Sequence, residues 1–101
     1  MSELTAAKSK DKNEITISIQ GTFDHSLHKD FRAAYRDENV DAFYIIDLHK
    51  TEYMNSSALG MLLLLRDHSG GDKANIKITG CRENILKTLS IAGFDKLFVI
   101  A

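Results

Sequence analysis

The chain has 101 residues, with 13 Lys and Arg against 14 Asp and Glu, for a formal charge of -1 and no block of like charge. That balance excludes the basic stripe with which an electrostatic nucleic-acid binder displaces counterions from phosphates. A hydrophobic content of 44% is too high for a disordered chain and sufficient for one core. The lone cysteine, Cys81, excludes an internal disulfide or a cysteine-rich metal site and points to a reducing cytoplasm. The opening stretch MSELTAAKSKDKNE lacks the apolar core of a signal peptide. The longest apolar run, Met61 to Leu65, falls far short of the roughly 20 residues that span a bilayer. A single cytoplasmic domain over residues 1–101, without membrane contact, is the expectation.

In chain order, Leu4 to Lys8 forms a weak first strand, and Lys10 to Asn13 its hairpin turn. From Glu14 to Phe23 the side chains alternate. Ile15, Ile17 and Ile19 point one way and Thr16, Ser18 and Gln20 the other, which predicts a strand with one wet face. Gly21 ends or bends it. Asp24 or Ser26 then caps a helix on which Leu27, Phe31, Ala34 and Tyr35 share a face, a pattern that stops near Asn39. Ala42 to Leu48 (AFYIIDL) is a dense apolar run of the kind found in strands buried on both faces. After the next helix, Asn75 to Thr79 is a further strand, entered through Gly70–Gly71 and closed by Gly80. Glu83 to Ile91 is a helix with Ile85, Leu89 and Ala92 on one face and Gly93 as its C-terminal cap. Leu97 to Ile100 is the last strand. Strands alternating with helices predict an α/β sandwich, a mixed sheet of about four to five strands covered by crossover helices.

The segment DLHKTEYMNSSALGMLLLL carries more than fold. A strand ends at Asp47–Leu48, a loop runs through Thr51 to Met54, and Asn55-Ser56-Ser57 precede a helix. Asn and Ser side chains accept the unpaired amides of a first helical turn, so this triplet sits at a helix N-terminus beside the end of a strand. In open α/β sheets ligands and modifications gather at that rim, and the helix dipole there favours a phosphate. A Ser–Ser pair at a helix start is more often a plain cap than a regulated site. Apolar residues from Ala58 to Leu65 surround the helix that follows, and a sheet covers only one side of it. A neighbouring helix or a partner protein must meet the rest.

On these residues the chain resembles the STAS domains, in particular the bacterial anti-sigma-factor antagonists. That family's buried strand ends in Asp-Leu, and its loop leads to an Asp-Ser-Ser/Thr-Gly-Leu-Gly motif opening a helix. Asp47, Leu48, Met54, Ser56, Ser57, Leu59 and Gly60 match, and ITISIQGTFD matches the family's earlier strand through Gly21, Phe23 and Asp24. Two positions depart: Asn55 stands where the family often has aspartate, and Ala58 where it often has glycine. The resemblance implies a non-catalytic regulator of transcription whose first serine, here Ser56, accepts a phosphoryl group from a serine kinase. That kinase is often the anti-sigma factor itself, and a PP2C-like serine phosphatase resets the switch. Asp24, Asn55, Ser57, Ala58, Leu59, Gly60 and Met61 are then the expected partner contacts. The alternative the resemblance leaves open is a domain that senses a nucleotide-like small molecule at the same rim.

The remaining reactive residues point to no chemistry of their own. His25 and His28 share a helix face, but no carboxylate or cysteine pattern completes a metal site with them. His49 and His68 are isolated, and Cys81 has no histidine at a relay spacing. Gly70–Gly71 lacks the Lys-Ser of a phosphate loop. No nucleophile–base pair or paired carboxylates stand at useful spacing, so neither an enzyme nor a cofactor is expected. Asp24, at a strand end, is either a helix cap or a neighbour of Ser56.

Overall fold

The alternating isoleucines build the strand on which the rest of the molecule is assembled. In the computed structural model, which describes residues 2–9, 13–39 and 41–101, β1 (Glu3–Lys8) pairs antiparallel with β2 (Glu14–Phe23). β2 then pairs in parallel with β3 (Phe43–Asp47) and, past a register shift at Gly21–Thr22, with β4 (Thr51–Met54). β3 continues to β5 (Asn75–Thr79) and β5 to β6 (Val99–Ile100), all in parallel. The helices are α1 (His28–Tyr35), preceded by a single 3-10 turn at His25–Leu27, α2 (Ser56–His68) and α3 (Glu83–Ile91). The expected turn residues Lys10, Asp11 and Lys12 lie outside the described residues, and Asn13 follows them with φ 49°.

The sheet is a mixed one of six strands, not four to five, because Thr51–Met54 is a strand rather than a loop. Its cause is non-local. Gly21, at φ 87°, bends β2 so that Gly21, Thr22 and Phe23 reach past the end of β3 to pair with the continuing chain. The last strand is also shorter than expected, since a 3-10 turn at Phe94–Lys96 takes up the approach to it.

β3 is buried on one face only. Tyr44 and Ile46 are fully covered, whereas Phe43 is 39% exposed and Ile45 and Asp47 are half-buried. Strand order explains this. β2, β3, β5 and β6 follow one another in a single direction across the sheet. Parallel crossovers are nearly always right-handed, so successive steps in one direction lay every helix on the same face. Ile15, Ile17, Ile19, Tyr44, Ile46 and Ile78 accordingly form one core with Phe31 of α1, Leu62 and Leu65 of α2, and Ile85 and Leu89 of α3. Each such side chain contributes about 1.5–3 kcal/mol when fully buried. On the opposite face Thr16, Ser18, Ile45 and Lys77 are only half-buried. On α3, Ala92 is exposed as the cap residue rather than buried beside Leu89, and Gly93 follows in the left-handed conformation that a helix end favours.

One polar defect lies inside this core. The hydroxyls of Tyr44 and Ser69 are both buried without a hydrogen-bond partner among the described residues. Burial, followed by the nearby Glu38 carboxylate, pushes the Tyr44 phenol up to about 12, and the neighbouring Ser69 hydroxyl tempers the rise without reaching hydrogen-bond geometry. An unpaired buried hydroxyl costs about 1–3 kcal/mol, so Tyr44→Phe is expected to raise stability by about 1 kcal/mol. An increase in the urea midpoint at constant m-value reads this out. A decrease would mean that the hydroxyl is paired.

Candidate functional site

The rim at the start of α2 is built by redirecting the chain between β3 and β4. Leu48 is buried, and its N–H donates to the Thr79 carbonyl at 2.9 Å. At the turn that follows, Asp47 Oδ1 accepts the His49 backbone N–H at 3.1 Å and meets His49 Nδ1 at 2.7 Å. The Gly21 N–H donates to the Lys50 carbonyl at 3.0 Å, and the buried Thr51 hydroxyl donates to the Ile19 carbonyl at 2.7 Å. These two bonds hold β4 to the far end of β2. The Asn55 N–H then donates to the Phe23 carbonyl at 3.3 Å, which sets the start of α2 directly beside the residue before Asp24.

Two matching caps therefore stand side by side. Asp24 Oδ1 accepts the Ser26 N–H at 2.9 Å and the Ser26 hydroxyl at 2.5 Å. Asn55 Oδ1 accepts the Ser57 N–H at 3.0 Å and the Ser57 hydroxyl at 2.5 Å. Both are an Asp or Asn followed two residues later by a serine, and each satisfies an otherwise unpaired first-turn amide. The Ser26 hydroxyl and backbone bonds hold the Asp24 carboxyl below its ordinary range, so this rim carries a fixed negative charge. Ser56, the first residue of α2, is exposed, and its hydroxyl makes no hydrogen bond among the described residues. Ser57 is half-buried and committed to the cap. The two serines are thus chemically distinct: one is structural and one is free.

The side chains expected to meet a partner divide in the same way. Ala58 and Met61 point into the core, 0% and 3% exposed, and present nothing to the surface. Leu59 is half-buried and Gly60 is exposed. The surface that continues from Ser56 along α2 is Gly60, Leu63 and Leu64, at four, seven and eight residues on, with the two leucines 41% and 54% exposed. Leu63 and Leu64 went unrecognised in the sequence because the leucine run shows no stripe. Counting helical spacings forward from Ser56 is the signal that finds them.

The other candidates sit apart from this rim. The His25 and His28 rings stack with centroids 5.1 Å apart, and among the described residues no group of three His, Cys, Asp or Glu could hold a metal ion. Burial raises the Cys81 thiol above its ordinary range, which disfavours the reactive thiolate. A cleft of about 260 Å³ opens on the uncovered sheet face, lined by Thr5, Ser18, Gln20, Asp47, His49 and Lys50 among others, and includes neither Asn55 nor Ser56. No helix among the described residues is long and apolar enough to cross a membrane.

Two measurements probe this construction. Asn55→Ala removes the acceptor for both Ser57 donors and is expected to cost about 1 kcal/mol, read as a lower urea midpoint, while Asn55→Asp keeps the cap and the stability. Burial pushes the Asp47 carboxyl up, but its bonds from His49 and the charges of His49 and Lys50 outweigh this and hold it below its ordinary value. The folded state then binds its proton less tightly than the unfolded state does. The resulting stabilisation is complete above the ordinary carboxylate value and is lost as pH falls below it through the lowered value of the folded state. Asp47→Asn is expected to flatten that acid limb of a stability–pH curve and to leave its neutral plateau sloping as before.

A family model described as "Mlab, STAS domain" matches residues 6–100. A STAS-domain containing protein of Pseudomonas aeruginosa is 48% identical over 99 residues, covering 97% of this chain and 98% of that one. An anti-sigma factor antagonist from Mycobacterium paratuberculosis superposes with a TM-score of 0.81 at 17% identity, covering 99% of this chain and 85% of that one. The Bacillus cell fate determinant SpoIIAA in its phosphorylated form gives 0.69 at 13% identity, covering 98% and 91%. At such identities the two solved structures share this chain's fold.

Proposed function

The chain belongs to the STAS family, and from that premise we propose that it is a non-catalytic interaction module of the anti-sigma-factor-antagonist kind, released from its partner by phosphorylation of Ser56. The observation that carries this reading is the division of labour between the serines. Ser57 closes the Asn55 cap, and Ser56 offers a free, exposed hydroxyl at the positive end of α2. Among the described residues no side chain hydrogen-bonds the Ser56 hydroxyl, so in this reading the partner kinase supplies the general base. The Ser56 Oγ forms a bond to the γ-phosphorus of ATP, its proton passes to that base, and ADP leaves. Water, activated by a PP2C-like serine phosphatase, later cleaves the same O–P bond and releases inorganic phosphate.

The partner in this reading is an anti-sigma factor or a serine kinase of the partner-switching type in a bacterial cytoplasm. It meets Asp24, Asn55, Gly60 and the flank of Leu59, and continues onto Leu63 and Leu64. Neither nucleic acid nor membrane takes part, and residues 1–101 act as one domain. That one relative in the fold is known in a phosphorylated form supports the reading.

The cleft beside Asp47 and His49 favours a second reading, a small-molecule sensor. Its volume of about 260 Å³ lies below the roughly 300–1,000 Å³ of typical ligand sites, and neither Ser56 nor Ser57 lines it. A nucleotide bound there at a hundredfold excess over its dissociation constant would add about 2.7 kcal/mol of stability. The test is co-purification from native cells with Ser56→Ala and Ser56→Asp, both verified as folded. A kinase-like or phosphatase-like regulator held by the alanine variant and lost by the aspartate variant supports the interaction module. Equal recovery with both, together with a melting shift on adding nucleotide, would favour the sensor.

A further inference from the structure

The second halves of α1 and α2 leave a groove between them that borders the proposed Ser56 surface at Leu64. Its volume is about 440 Å³, and its walls are Arg32, Tyr35, Arg36, Leu64, Asp67 and His68. Arg32 and Arg36 stand four residues apart, so their side chains leave neighbouring turns on one side of α1. Among the described residues Arg32 makes no ion pair. Arg36 reaches only Asp37, at 3.6 Å, with both side chains largely exposed, a contact worth little. Arg66 is the contrast, for it holds Asp72 at 2.8 Å and the Leu97 carbonyl at 3.4 Å. The groove arginines, like Arg82 at the start of α3, have no strong partner among the described residues.

Apolar surface lies next to these cations. Leu64 is 54% exposed at the groove wall, and the buried Tyr35 ring forms its floor. Tyr35 packs on the His68 ring with centroids 5.0 Å apart, and His68 Nε2 faces the Glu38 carbonyl at 3.3 Å. The floor is therefore set before anything binds. Idle guanidiniums beside an exposed leucine, in a trough between two helices, match the apolar anchors and flanking carboxylates of a helix laid into a groove. We infer that this groove docks an acidic amphipathic helix of a partner protein, with leucine-like side chains against Leu64 and Tyr35 and carboxylates on Arg32 and Arg36. A lipid surface fits less well, because one exposed leucine offers little to insert. The site shares Leu64 with the surface proposed for the Ser56 partner, whereas Arg32 and Arg36 lie outside that surface, so the arginine variant tests the groove without touching the phosphorylation reading.

The test is an NMR titration of the full chain with three probes. They are a short helical peptide of Leu and Glu in amphipathic spacing, its Leu and Lys counterpart, and vesicles of phosphatidylcholine with phosphatidylglycerol. The Leu–Glu peptide is expected to shift the amides of Arg32, Tyr35, Arg36, Leu64 and His68. Its binding should weaken about tenfold or more in Arg32→Glu with Arg36→Glu, and similarly in Leu64→Ser, a loss of about 1.4 kcal/mol or greater. All three positions are on the surface, and unchanged melting confirms that the variants fold. Absence of groove shifts at millimolar peptide, equal binding of the Lys peptide, or groove shifts produced by vesicles in place of peptide would each overturn the inference.

Discussion

Protein carrying one phosphate on Ser56 is expected to bind its partner about a thousandfold more weakly than the unmodified protein, with the fold unchanged. The modification adds about −1.5 to −2 charge and three acceptor oxygens. Within the domain that charge meets the amide end of α2, where helix dipole and free N–H groups favour an anion, so little stability is lost. At the interface the balance reverses. Ser56 leads onto Gly60, Leu63 and Leu64, an apolar strip, and the neighbouring Asp24 carboxylate is already ionised. A dianion pressed against such a surface loses hydration that the strip does not replace, at several kcal/mol. A loss of about 4 kcal/mol corresponds to that thousandfold. Ser56→Asp, with half the charge, should move affinity in the same direction and less far. Ser57→Ala should instead lower stability and leave regulation in place, because Ser57 serves the cap. Titration calorimetry of each form against one partner, with circular dichroism as the control on fold, separates these outcomes. Equal affinity for the phosphorylated and unmodified forms would refute the switch.

Gly80→Ala is expected to cost about 3 kcal/mol. Gly80 has φ 74°, and a Cβ there would stand 2.7 Å from the His49 Cβ and 2.8 Å from its backbone nitrogen. Two penalties combine. A left-handed backbone costs an L side chain about 1–2 kcal/mol, and overpacking adds about 1–3 kcal/mol because the obstructing atoms are the His49 backbone and the Cβ fixed to it. The His49 turn is what sends the chain from β3 into β4, so relief of the clash would displace the support of the Asn55 cap as well. A fall of more than about 10 °C in the melting midpoint follows for a domain of this size. Gly93→Ala is the control. Gly93 has φ 77° but nothing within 4 Å of its added Cβ, so only the backbone penalty remains. If both variants lost the same stability, the close approach of Gly80 to His49 would have no energetic weight.

The parts of the molecule that follow from local rules could be read directly from the residues. Ile15, Ile17 and Ile19 alternate without interruption, and β2 runs over the same Glu14–Phe23 that this pattern predicts. The caps were legible because Asp24 and Asn55 belong to the few residue types whose short side chains reach a first-turn amide. What depends on distant partners was not. The TEYM segment buries only its first and last residues and becomes a strand through pairing with β2 beyond the Gly21 bend, so no local alternation marks it. The one-sided covering of β3 follows from strand order, which its apolar run does not contain. Along α2 the leucines are identical in kind. Which of them face inward depends on where the sheet and α1 lie, and Ala58 and Met61 turned into the core while Leu63 and Leu64 were left outside.

The most direct measurement is intact mass and phosphopeptide mapping of the protein purified from its native cells, beside the Ser56→Ala variant. A single phosphate on Ser56, present in the native protein and absent from the variant, is the expected result. No phosphate under either growth or stress conditions, or a phosphate that persists in Ser56→Ala because it resides on Ser57, would contradict a switch built on the free hydroxyl at the start of α2.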